Sequence, residues 1–182
     1  MKLTPHDWFA IAGTLLVEQG PGALTIERLT SRAGVTKGSF YHHFGSRQGF
    51  VAAFVEHLRD VGFADVVAEV DPTAPSQLRL HQLVAEIARH DPALEIAVRR
   101  WAVIAEPVRE MVENVDAAQL DYLTALFGEM TDPDTAAFQA RLSIAFHLGT
   151  LQIRPPVHGA EYVAMAEALG RIWSEGGAQP AP

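Results

Sequence analysis

Residues 22–47, GALTIERLTSRAGVTKGSFYHHFGSR, decide the fold, because two short helical patterns meet at a single glycine within them. Thr25 is a helix-capping residue type, and it stands directly before a predicted helix over Ile26–Ala33. Gly34 follows, and glycine accepts the left-handed backbone conformation that ends many helices. The stretch therefore predicts a short helix after which the chain reverses sharply.

A second short helix is predicted directly after this turn. Thr36 can cap it, Phe40 and Phe44 lie four residues apart on one inner face, and Gly45 ends it. Its other positions carry hydrogen-bonding side chains and one glycine, which suit base edges and phosphates: Lys37, Gly38, Ser39, Tyr41, His42 and His43. Two helices joined by a tight turn allow the second helix to enter the major groove of DNA, so the stretch predicts a helix-turn-helix.

Residues 22–26 and 33–47 closely resemble the signature of the TetR/AcrR family of transcriptional regulators, and the resemblance covers about the first 55 residues. It implies a homodimer that represses transcription from a palindromic double-stranded operator until a small apolar inducer binds. It also implies individual roles. Residues expected to contact phosphates are Thr25, Tyr41, His43 and Arg47. Residues expected to face the groove are Lys37, Gly38, Ser39 and His42, with Thr36 beside them.

The remaining chain is predicted to be helical throughout. Apolar residues recur at helical spacing, and no alternating run flanked by turns predicts a sheet. We expect an all-α protein of eight or nine helices, divided into a three-helix DNA-binding head (1–48), a ligand-binding and dimerisation body (49–175) and a flexible tail (176–182). One long helix is expected from Ser46 toward Val70, with an apolar stripe formed by Phe50, Phe54, Leu58 and Val61. Further helix starts are expected at Thr4-Pro5, Ser76, Asp91-Pro92, Asp116 and Asp132-Pro133.

Charge is distributed unevenly along the chain. The formal net charge is −8, yet residues 1–49 contain five basic and three acidic residues and so carry +2. The body is correspondingly acidic. We interpret this as a head oriented toward DNA by its charge. Glu27 does not fit this interpretation, because a carboxylate near DNA repels phosphate unless it accepts a hydrogen bond from a cytosine amino group.

Two sets of residues in the body are candidates for ligand binding and dimerisation. Aromatic, methionine and histidine residues among apolar neighbours are predicted to line a ligand cavity, with ordinary core packing as the alternative: His81, Trp101, Tyr122, Phe127, Met130 and His147. Two apolar helix faces are predicted to form a dimer seam, although a monomer core explains the same pattern: Phe138, Leu142, Ala145, Phe146, Gly149, Tyr162, Met165, Leu169 and Ile172.

Other classes of protein are disfavoured. With no cysteine there is no disulfide or thiolate metal site, and His42-His43 point in different directions on a helix, so we expect no metal, no cofactor and no catalytic residue. A ferritin-like enzyme needs a Glu-x-x-His motif, which the chain lacks. No signal sequence or membrane span is predicted, and a cytoplasmic location is expected. A helical protein-interaction module that has lost DNA binding remains the alternative function.

Overall fold

A computed structural model describes residues 3–176, and these residues form ten α-helices, one 3-10 turn (Pro21–Ala23) and no strand. The prediction of an all-α protein is confirmed. In chain order the helices are α1 (Pro5–Gln19), α2 (Ile26–Ala33), α3 (Lys37–Phe44), α4 (Arg47–Asp60), α5 (Phe63–Ala68), α6 (Ser76–Arg89), α7 (Ala93–Ala102), α8 (Glu106–Gly128), α9 (Pro133–Gln152) and α10 (Gly159–Gly176). Of the predicted tail, Gly176 closes α10 and residues 177–182 lie outside the described residues.

The chain divides into two compact units. The first contains the chain through Val61 together with Ala93–Glu113, and the second contains Gly62–Pro92 and the chain from Asn114 onward. Helix α8 supplies its first turns to one unit and its remainder to the other. The first unit therefore holds the predicted head plus α4 and α7, whereas the functional boundary after residue 48 stays a prediction.

The helix starts in the first unit follow from local capping. Thr4 accepts a hydrogen bond from the Asp7 backbone N–H (3.3 Å), and the Asp7 carboxylate accepts one from the Thr4 N–H (2.7 Å), which makes a complete capping box before Pro5. Thr25 caps α2 in the same way by accepting from the Arg28 N–H. These caps confirm two starts that the sequence predicts.

An aromatic cluster forms the core of the first unit. Trp8 is fully buried and meets the ring of Phe40 edge-on, with 5.5 Å between centroids. Phe50 and Phe54 of α4 are also buried, and the ring of Trp101 on α7 stacks on Phe54. The rings of α1 and α4 therefore hold α3 from beneath, which fixes its outer face as a surface.

The second unit has its own apolar core. Its buried members come from the segment after α5 and from α6, α8 and α9: Val70, Leu83, Leu123, Phe127, Ala136 and Ala140. Trp173 of α10 packs edge-on against Phe127, with 5.7 Å between ring centroids. In the same unit, Arg79 makes two 3.0 Å hydrogen bonds to Glu129, and these bonds raise the pKa of Arg79. The hydrogen bonds from the Ser76 hydroxyl and from Arg79 lower the pKa of Glu129.

Two expected helix boundaries are wrong. The helix expected from Ser46 to Val70 is two helices, because the chain breaks at Val61-Gly62, and Val61 is 41% exposed rather than part of the apolar stripe. Asp116 starts no helix, since α8 runs unbroken from Glu106. Helix α6 starts at Ser76 as predicted, but Pro75 occupies the cap position and the Ser76 hydroxyl hydrogen-bonds to Glu129.

Candidate nucleic-acid interface

The turn between α2 and α3 is built on Gly34. Its backbone lies in the left-handed region, with φ 67° and ψ 30°, a conformation that is strained for residues with a Cβ. The Val35 N–H donates to the Thr30 carbonyl at 3.1 Å, so the turn satisfies backbone groups at the end of α2. Beneath the turn Leu29 and Phe40 are fully buried. The two helices are therefore locked together at a sharp angle with α3 on the outside.

The outer face of α3 carries most of the predicted DNA contacts. Lys37, Gly38 and His42 are exposed, and Tyr41 is 48% exposed despite its apolar ring. Thr36 and Arg47 are exposed as well, and so is Gly34 in the turn before α3. Thr25 and Ser39 are half-buried. The structure thus brings the predicted DNA-binding residues to one helix-turn-helix motif.

Two members of this set differ in their local role. The Thr36 hydroxyl makes no capping bond to the amides of α3, so it is available to another acceptor or donor. The His43 ring is half-buried and packs near Trp8, with 6.4 Å between centroids, and beside Phe44. His43 therefore supports the inner packing of α3 in addition to any contact it makes outside.

Gly38 is not required by the packing of the head. A Cβ added at this position would lie 3.6 Å from the Thr36 Oγ1, which is an ordinary van der Waals distance. Glycine costs about 1 kcal/mol relative to alanine inside a helix. The fold alone therefore gives no reason for glycine here, whereas close approach of a ligand to the backbone does.

Glu27 and Lys37 form an ion pair that joins α2 to α3. The Lys37 Nζ lies 2.5 Å from the Glu27 Oε1, and the two side chains are 56% and 66% exposed. The hydrogen bond from Lys37 holds the pKa of Glu27 below its usual value, and the same contact raises the pKa of Lys37. The carboxylate that did not fit a DNA-facing surface is therefore neutralised by the lysine predicted to face DNA.

The other long cations of the described head also have partners within the chain. Arg32 is bidentate to Glu18 at 3.0 and 3.1 Å, and Arg28 hydrogen-bonds to the side chain of Gln19. The Arg47 Nε donates to the Leu24 carbonyl at 3.0 Å. Sequence reasoning missed these bonds because the partners lie 9 to 23 residues apart and meet only in the folded head.

The predicted ligand-binding residues are divided between the two units. Trp101 is buried in the first unit, whereas Phe127 is buried in the core of the second unit with Tyr122 packed against that core. His147 lies 3.3 Å from the Tyr162 hydroxyl. The two remaining residues, His81 and Met130, are exposed. Their roles in ligand binding stay predictions.

The predicted dimer residues lie mostly outward on α9 and α10. Phe138, Met165 and Ile172 are exposed apolar residues, at 42%, 39% and 63%. Four others along the same two helices are exposed or half-buried: Leu142, Ala145, Gly149 and Leu169. The remaining two contact each other. Tyr162 is buried, and its ring packs against Phe146 with 5.3 Å between centroids.

The part of the chain that the structure describes holds neither a metal-binding cluster nor a membrane-spanning helix. Nowhere in residues 3–176 do three histidine or acidic side chains come together as they would around a metal ion. None of the described helices combines the length and the apolar character needed to cross a membrane.

The left-handed turn at Gly34 and the exposed polar face of the helix after it define a helix-turn-helix protein. Residues 11–54 match the family model for bacterial regulatory proteins of the TetR family. The head of this chain is therefore similar to the DNA-binding domain of TetR-family regulators.

Individual proteins also resemble this chain, in sequence or in fold. The HTH-type transcriptional repressor KstR2 of Rhodococcus jostii is 30% identical over 120 residues, which are 66% of this chain and 57% of that protein. The chain thus matches little more than half the length of this curated relative. A transcriptional regulator from Rhodococcus sp. superposes with a TM-score of 0.74 at 21% identity, over 99% of this chain and 100% of the other. AibR, solved with isovaleryl coenzyme A and operator DNA, superposes with a TM-score of 0.65 at 16% sequence identity. The superposition covers 91% of this chain and 95% of AibR.

Proposed function

We propose that the protein is a DNA-binding transcriptional repressor that binds a palindromic operator as a homodimer and releases it when a small apolar ligand binds. The observation that carries this proposal is α3 itself. Its inner side is locked on a buried aromatic core, and its outer side presents Lys37, Gly38, Tyr41 and His42 to solvent. A rigid helix with exposed hydrogen-bonding groups is what reading the major groove requires.

DNA contact must also reorganise the ion pairs of the head. A phosphate near Arg47 or Lys37 competes with the Leu24 carbonyl or the Glu27 carboxylate for the same donors. The Glu27–Lys37 ion pair is exposed, and exposed ion pairs contribute little to stability, so exchanging the partner of Lys37 costs little. The paired head is therefore compatible with DNA binding, and the internal bonds set how strongly each cation engages a phosphate.

The direct test is a mobility-shift titration, first with DNA from upstream of the protein's own gene and then with a random pool. Lys37→Ala is expected to weaken binding to the selected operator and, if Lys37 meets a phosphate, to reduce the salt dependence by about one unit of slope. Arg59→Ala is a matched control, because Arg59 is an exposed cation of α4 that pairs with Asp60. Failure of the wild-type protein to bind any DNA would favour the protein-interaction module instead.

Dimerisation is proposed through the outward faces of α9 and α10. Phe138, Met165 and Ile172 would leave a row of exposed apolar side chains on a monomer, and burial of such side chains stabilises association. A second copy of the chain would cover this surface and remove its apolar side chains from solvent. An isologous interface between two copies provides the two-fold symmetry that a palindromic operator needs. The mass of the protein in solution tests this directly.

Ligand control is proposed from the architecture and from the relatives. AibR has been solved with an acyl coenzyme A and operator DNA together. In this chain the second unit has an apolar core of aromatic and aliphatic residues that includes Tyr122 and Phe127. We expect apolar small molecules that raise the unfolding temperature of the protein to release it from its operator. A compound that stabilises the protein without affecting DNA binding would not be the inducer.

A further inference from the structure

We propose that Glu27 and Lys37 act together as a reading unit that selects a C·G base pair in each half of the operator, an inference that rests on the proposed DNA-binding function. Glu27 lies in the first turn of α2, and Lys37 is the first residue of α3. Their ion pair therefore bridges the two helices of the motif on its solvent side. It stands at the end of α3 that leads into the groove in a helix-turn-helix.

The pair has unused hydrogen-bonding capacity toward the solvent. A carboxylate has about four acceptor positions and an ammonium group has three donors, and their mutual bond uses one of each. Both side chains are more than half exposed, so the remaining groups are accessible. Arg28, the other cation adjacent to Glu27, is bonded to Gln19 and is directed to a different partner.

The chemistry of the pair matches one base pair in the major groove. Guanine presents two acceptors, N7 and O6, to which lysine donates, and cytosine presents its N4 amino donor beside them, which a carboxylate accepts. A T·A pair places the thymine O4 acceptor where cytosine has its donor, so a carboxylate there meets an acceptor. The unit is close to neutral overall, and it enters the groove without the repulsion that an isolated carboxylate would suffer from the phosphates.

A competing explanation is that Glu27 only screens the charge of Lys37. In that case its removal would strengthen binding to every DNA sequence alike, because the freed lysine would gain phosphate contacts with no base preference. The reading unit predicts a loss of preference at one position of each half-site instead. The two explanations therefore differ in the sequence profile of binding rather than in its strength alone.

The experiment is selection of bound duplexes from a random pool by the full-length wild type, by Glu27→Gln and by Glu18→Gln. Glu18→Gln is the matched control, since it removes the same charge from the head and breaks the ion pair with Arg32, which does not involve Lys37. The wild type and Glu18→Gln are expected to enrich a palindrome with a fixed C·G pair in each half. Glu27→Gln is expected to keep the palindrome and lose the preference at that position.

A second measurement uses only the wild-type protein. Replacing the selected C·G pair with T·A in both half-sites should weaken binding about tenfold or more, because one good base contact discriminates by roughly that factor. Unchanged base preference in Glu27→Gln, or uniformly tighter binding to all sequences, would overturn the reading unit while leaving the proposed function intact. A wild-type protein that enriches no sequence would overturn the proposed function and this inference with it.

Discussion

Gly49 lies in the first turn of α4, where the backbone passes very close to the end of α3. A Cβ added to Gly49 would lie 2.3 Å from the Phe44 carbonyl oxygen, and backbone at that distance cannot move aside without shifting the junction. Ser46 caps this helix by accepting from the Gly49 N–H at 2.9 Å, which draws the two segments together. The glycine is therefore required by the junction that positions the outer helix.

Gly49→Ala is expected to destabilise the protein by about 1–3 kcal/mol, the usual cost of overpacking. Gly38→Ala is the matched control, because its new Cβ meets nothing closer than 3.6 Å and alanine favours the helix. Thermal unfolding followed by circular dichroism measures both. Equal unfolding temperatures for the two variants would show that the α3–α4 junction yields without cost.

Asp7 makes the stability of the head depend on pH. Hydrogen bonds from the Thr4 backbone N–H and hydroxyl lower the pKa of Asp7 from its ordinary value of 3.8. The folded state then holds its proton less readily than the unfolded state. The contribution of this carboxylate is therefore complete above the unfolded value and is lost as the pH falls through the lowered, folded one.

Asp7→Asn is accordingly expected to lower the unfolding temperature at pH 6, and the difference from the wild type should shrink on acidification below about pH 4. Melting curves of the two proteins across this range test it. If the difference in unfolding temperature stays constant down to the most acidic pH at which the wild type folds, the charge of Asp7 does not contribute to the capping interaction.

At the scale of elements, the amphipathic helix α6 shows how burial decides the effect of a substitution. Leu83 is 2% exposed in the core of the second unit, and Leu78 of the same helix is 49% exposed. Leu83→Ala is expected to cost about 2–5 kcal/mol through lost burial and the cavity left behind. Leu78→Ala should stay within about 0.5 kcal/mol. Denaturant unfolding measures both, and similar losses would contradict the described orientation of α6.

The elements that could be predicted from sequence are those with a local physical cause. Gly34, Gly45 and the Thr25 cap mark α2 and α3 because a turn or a cap acts within a few residues. Asp116 was misleading, because a capping residue type is tolerated inside a long helix such as α8. The break at Gly62 was missed because the apolar spacing continues across it.

The site was predictable to the same extent. The surface of α3 follows from a local pattern, with Phe40 inward and Lys37 outward. The ion-pair partner of Lys37 does not follow from such a pattern. Glu27 lies ten positions earlier in the chain and contacts Lys37 only after α2 and α3 have docked. The same holds for the body, where the spacing of Tyr162 suits an outward stripe but packing turns it inward against Phe146.

At the scale of the whole molecule, we propose that the outward faces of α9 and α10 form the dimer interface. Phe138→Glu combined with Ile172→Glu should convert a dimer to a monomer, because two carboxylates would be buried without partners. Val103→Glu is the control, since Val103 is 76% exposed on the turn between α7 and α8. Sedimentation velocity gives the mass, and circular dichroism verifies folding. A double variant that remains dimeric would place the interface elsewhere.

The internal bonds of the head also bear on how quickly the protein finds its target. A genome presents about 10⁶ or more competing sites, and each pause at random sequence delays the search. In the free protein, partners within the chain already bind Arg28, Arg32 and Lys37. A phosphate of random DNA would therefore have to replace an existing partner, and the net gain in binding free energy would be small. We therefore expect short pauses on random DNA and a long residence only where base contacts add to the exchange.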